Sequence, residues 1–168
     1  VTITSGSGTT TSGDITTTAD TIQFASATTL GGAVALASAN GAVTFASTLN
    51  GAQNLTITAG IGNVTFTGAV GNSTALGTLN VTGGNNTFSS TRNVAGLVLS
   101  DTSTSQTTIS GDITEFTAAS GITFAFPTTL TANTTVTTSN GAVTFASTLN
   151  GAQNLTITAG TGNVTFTG

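Results

Sequence analysis

The sequence predicts an all-β chain wound as a β-solenoid, with coils of ~21 residues stacked along one axis. Three observations predict it: like residues recur at 21-residue intervals, apolar residues alternate locally with threonine, and asparagine–glycine turns separate the alternating segments. No stretch carries an apolar period of 3.6, so no helix is expected.

The recurrence carries most of the argument. Phe24, Phe45 and Phe66 are 21 residues apart, Phe88 follows after 22, and Phe124, Phe145 and Phe166 repeat the 21-residue spacing. A second register holds Ile15, Leu36 and Ile57, then Leu79 at 22, and is continued by Val136 and Ile157. Ile22, Val43 and Val64 form a third, two residues before the phenylalanines, while Leu49, Val70 and Leu149 suggest a fourth. Stacked coils produce such registers because each inward side chain rests on its equivalent one coil below. Sandwich domains with Greek-key connections do not hold one interval through consecutive coils. These residues are therefore the expected core ladders.

The local pattern agrees. Val43-Thr44-Phe45, Leu55-Thr56-Ile57-Thr58 and Val64-Thr65-Phe66-Thr67 alternate with the period of two that a half-buried strand requires. β-Branched and aromatic side chains suit a pleated surface. Asn40-Gly41, Asn50-Gly51, Gly60-Ile61-Gly62-Asn63 and Gly83-Gly84-Asn85 punctuate the strands with residues that tolerate positive φ.

A longer period overlies the shorter one. Residues 39–68 recur at 139–168 with only Ala39/Ser139 and Ile61/Thr161 changed. Ser12-Gly13-Asp14-Ile15-Thr16 and Ser110-Gly111-Asp112-Ile113-Thr114 extend the likeness upstream. Residues 1–168 thus read as one continuous solenoid of about eight coils, holding rather less than two tandem units of about 100 residues. The 21-residue interval is lost over about 92–120, where a loop or bulge is expected. Terminal coils need caps. None is visible, so the native protein is expected to continue in both directions or to stack end to end.

Composition excludes several function classes. Charged residues make up 4% of the chain, against about 25% in soluble domains. Arg92 is the only base, and Asp14, Asp20, Asp101, Asp112 and Glu115 are the only acids. Without His or Cys, no His-based triad, thiol nucleophile, zinc site or haem ligation can be built. The expectation is no enzyme, no cofactor and no metal. A single arginine cannot neutralise a run of phosphates, so nucleic acid is a poor partner. No apolar run approaches the ~20 residues of a membrane-spanning helix, so membrane insertion of this segment is not expected. The acids lack the basic partners found in the grooves of polysaccharide-cleaving β-helices and read as exposed turn residues. Gly13-Asp14 is isolated, whereas calcium-binding glycine repeats need an aspartate in every nonapeptide. Asn-x-Ser/Thr sequons, such as those at Asn54, Asn63, Asn72, Asn80 and Asn154, read first as stacked turn asparagines. Thr56, Thr58, Thr65 and Thr67 pair outward and form the candidate binding face, for glycans or for ice.

With its Thr/Asn/Gly-rich coils, strands of the type Asn54–Gly60 and Gly62–Gly68, and near-identical long repeats, the chain resembles the filamentous-haemagglutinin-like and autotransporter-type surface adhesins of bacteria. The resemblance covers the whole chain and rests on composition and period. It implies a right-handed parallel β-helix, export to the cell surface, and a role in attachment, biofilm or a fibrous coat. The shaft of such proteins has no functional residues to carry over. The partners it implies are further copies of the repeat, end to end or side by side, with surface glycans a second candidate.

Overall fold

A computed structural model describes residues 1–90, 92–101, 106–116 and 121–168. The described chain is a β-solenoid of about seven turns with no helix, and every strand pairing is parallel. Three faces follow one another in each coil. The first is an eight-stranded sheet of Thr2–Ile3, Ile22–Phe24, Val43–Phe45, Val64–Phe66, Asn86–Phe88, Thr107–Ile109, Thr128–Leu130 and Leu149–Asn150. The eight strands bound seven turns.

The second face begins with Thr9–Thr11, Thr28–Leu30 and Leu49–Asn50. It continues through two isolated bridges, Leu49 to Val70 and Val70 to Arg92, into Ile113–Glu115, Thr134–Thr138 and Leu155–Thr158. The third face stacks Ile15–Thr16, Val34–Ala37, Leu55–Thr58, Leu76–Gly83 and Arg92–Asp101, then Ile122–Phe124, Val143–Phe145 and Val164–Phe166. Arg92–Asp101 serves both of these faces. Its start, Arg92 to Val94, pairs with Ile113–Glu115, and Leu97 to Leu99 pair with Ile122–Phe124. One long strand therefore replaces a corner here and joins the two faces into an 11-stranded sheet.

Alternation produces the core. Each short strand turns its apolar residues inward and its central residue outward, as in Val43–Phe45 and Val64–Phe66. Phe24, Phe45, Phe66 and Phe88 stack face to face with centroids 4.7, 5.3 and 5.0 Å apart and planes within 3°. Those spacings match the ~4.8 Å between neighbouring strands, so each ring fills the layer its own coil adds. Phe124, Phe145 and Phe166 form a second stack at 4.5 and 5.1 Å.

The two stacks lie on different faces. Phe88 is followed on the first face by Ile109 and Leu130, whereas Phe124 pairs with Leu99 on the third. The second register expected from the sequence is likewise divided. Ile15, Leu36 and Ile57 form a third-face ladder, but the next rung is Val81, and Leu79 sits over Leu55 instead. Val136 and Ile157 belong to the second face, above Ile113, Arg92, Val70 and Leu49. Leu149 moves the other way, pairing with Thr128 on the first face. The main cause is that the 100-residue unit is not a whole number of 21- or 22-residue coils, so a copied residue falls on another face; uneven corner length adds to it. Along the third face the rungs Ile57, Val81, Leu99 and Phe124 are 24, 18 and 25 residues apart, while the first-face ladder keeps intervals of 21 or 22. The irregular stretch of 92–120 includes 102–105 and 117–120, which lie outside the described residues. Its described part is the long strand that absorbs the change.

Candidate functional surface

The exterior is built from the outward position of each strand. On the first face, Thr44, Thr65, Thr87, Thr108 and Thr129 stand one above another, with Gln23 and Thr2 before them and Asn150 after. The third face carries Ala35, Thr56, Asn80, Val98, Thr123, Thr144 and Thr165 in one row, and Ala37, Thr58 and Thr82 in another. The second face carries Asn93, Thr114, Thr137 and Thr158. Thr58 therefore stacks under Thr82, and Asn80 lies over Thr56. Of the four candidate binding residues, Thr56 and Thr58 lie on the third face while Thr65 is on the first, with Thr67 just beyond the end of its strand. The four do not share a surface. The longest threonine row is the first-face one that begins at Thr44.

Asparagine and aspartate clamp one coil to the next. The carboxamide oxygen of Asn40 accepts the Ile61 amide at 3.1 Å, and Asn140 accepts that of Thr161 at 2.9 Å. Asn54 holds the Thr78 amide, Asn63 that of Asn85, and Asn85 that of Gln106. The acids at Asp14 and Asp112 act the same way, accepting from Ala35 and Thr135 at 2.8 and 2.7 Å. A shallow open depression is lined by Asp14, Ala33, Val34, Ala35, Asn54 and Thr56. Its one carboxylate is thus already committed to a backbone clamp.

Two charged side chains are inside the solenoid, contrary to the reading of the acids as exposed turn residues. Glu115 is 1% exposed, because it takes an inward position between Val94 and Thr138. Arg92 is also 1% exposed and occupies a rung of the otherwise aliphatic ladder from Leu49 to Ile157. Its guanidinium lies 4.3 Å from the centroid of the Phe88 ring, and Nη2 donates to the Gly111 carbonyl at 3.2 Å. Nε and Nη1 have no hydrogen-bond partner among the described residues. Burial lowers the Arg92 pKa to about 9, against the opposing pull of Asp112. Its place in the sequence, 22 residues after Val70 and 21 before Ile113, was the available signal for an inward position. Asp14, Asp20 and Asp112 are exposed.

Among the described residues, no three His, Cys, Asp or Glu side chains are grouped so as to hold a metal ion. No described helix is long and apolar enough to cross a membrane. No protein-family model, curated protein or solved structure matches the chain.

Proposed function

We propose that this chain is a shaft segment of a secreted or cell-surface filament or giant adhesin of bacterial type, whose work is reach and rigidity. The observation that carries the reading is the first-face ladder, which runs unbroken from Thr2–Ile3 to Leu149–Asn150. Its outward residues are uncharged throughout. Titratable side chains are few and scattered, and two of them face the interior. The reading therefore includes no catalysis, no cofactor and no nucleic-acid partner. Its partners are neighbouring repeats, end to end or side by side.

Electron microscopy of the native material, labelled with an antibody to Gly41–Gly60, tests this. Threads decorated at regular intervals, with an axial spacing of ~4.8 Å, are the expected result. Label confined to short, isolated particles would refute it.

The five-threonine row from Thr44 to Thr129 favours a second reading, a hydroxyl face for glycans or ice. Replacing Thr65, Thr87 and Thr108 with valine keeps the shape and removes the hydroxyls. Unchanged affinity for ice or glycan would eliminate that reading.

A further inference from the structure

The long repeat and the coil are out of phase, and the mismatch has a definite size. From Thr65 the first-face row climbs through Thr87, Thr108 and Thr129 to Asn150, which is four turns. Thr165, the copy of Thr65, lies two faces further on, beyond Leu155–Thr158 and within Val164–Phe166. The other elements move in the same sense. Val43–Phe45 on the first face becomes Val143–Phe145 on the third, Leu55–Thr58 on the third becomes Leu155–Thr158 on the second, and Leu49–Asn50 on the second becomes Leu149–Asn150 on the first.

The turns tolerate this because the three corners accept the same chain. Ser38 and Thr138, at different corners, both donate a side-chain hydrogen bond to the carbonyl three residues on, at Gly41 and Gly141. Gly51 and Gly151 adopt φ of 119° and 125°, and a Cβ added at either would collide with the carbonyl of Leu30 or Leu130. A segment repeated almost without change therefore folds alike although it starts on a different face.

We propose that the 100-residue unit is a fractional-turn repeat. It advances four and two-thirds turns, so tandem copies carry their surface around the shaft in thirds of a revolution. A partner that recognises a feature of the unit meets that feature on three sides in rotation. The turn bearing the exposed Ile61, for example, lies between the third and first faces. Its copy at Thr161 lies between the second and third. One unit rises ~22 Å and three units restore the azimuth after ~67 Å, at ~4.8 Å per turn. This display rests on the shaft reading, since a single compact domain would have no use for it.

The chain has no cysteine, so introduced pairs report cleanly. T44C/T65C joins adjacent rungs within one unit, while V98C/T123C joins a 25-residue step on the third face, the row that continues into the copied strands at Thr144 and Thr165. Paired strands lie ~4.8 Å apart, within the range a disulfide spans. Oxidation is expected to close both pairs nearly completely in the monomer, read by mass and by mobility on non-reducing gels. Closure of T44C/T65C without V98C/T123C would leave the solenoid and the shaft reading standing and overturn the fractional turn. Closure of neither would overturn both.

Discussion

Arg92 offers the sharpest test of how the interior is held together. Replacing it with methionine keeps a long, flexible, apolar side chain on a rung flanked by Val70 and Ile113. The folded-state pKa of about 9, well below that of a free guanidinium, corresponds to a penalty on the order of 5 kcal/mol at 1.36 kcal/mol per unit. The substitution removes that penalty. It also loses the contact with Phe88, about 1–2 kcal/mol, and leaves the Gly111 carbonyl without its donor, a further cost of about 1–3 kcal/mol. The balance is neutral to favourable for Arg92→Met, about 0–3 kcal/mol at pH 7, in line with other buried charges replaced by apolar residues.

The pH dependence isolates the same group. Because the folded-state pKa is lowered, the unfolded chain binds more protons from about pH 9 upward, and stability rises with pH there until the unfolded chain also deprotonates. At pH 7 both states are protonated and the penalty is fully present. With no Lys, Tyr or Cys in the chain, no other side chain titrates there. Urea denaturation of the wild type should therefore gain about 2 kcal/mol between pH 9 and 11, and Arg92→Met should show no such gain. Loss of more than about 1 kcal/mol on substitution, or equal pH slopes in the two proteins, would refute the reasoning.

Phe45→Ala removes a ring from the middle of a four-membered stack and should cost about 3–5 kcal/mol, read as a lower urea midpoint. Gly51→Ala should be strongly destabilising, because φ is 119° and a Cβ would collide with the Leu30 carbonyl oxygen. Gly13→Ala, with nothing within 4 Å of the added carbon, should be near neutral in the same assay. Asn40→Gly keeps the positive φ of 86° but loses the clamp on Ile61, so it should cost about 1 kcal/mol and speed hydrogen exchange at the Ile61 amide.

Strands within one unit were legible in the sequence because inward residues must repeat once per coil, which is why Phe24, Phe45 and Phe66 align as their spacing implies. The change of face was legible only in the arithmetic, since an offset of 100 residues is not a whole number of 21- or 22-residue coils. Corners can lengthen or shorten without disturbing the rungs on either side, so Val81 displaces Leu79 above Ile57 with no local sign. The near-identity of residues 39–68 and 139–168 even points the opposite way, as though equal sequence meant equal azimuth. Composition alone puts Arg92 and Glu115 on the surface, since charged residues are ordinarily exposed. Their inward positions follow from strand alternation instead. The four threonines of the candidate face alternate as outward residues should, but period two within a strand says nothing about which face that strand occupies.

The long strand and the bridges around Val70 have a mechanical consequence. Hydrogen bonds between coils point along the axis, so a pull on the two ends loads every bond of a junction together, and the junctions carry the force in series. On the second face the junctions on either side of Val70 hold one isolated bridge each, whereas Arg92–Asp101 is bonded along most of its length to the coil below. The coil below is the one that holds Val70, so in that junction the long strand on the third face offsets the single bridge on the second, and under tension it should be among the last to part.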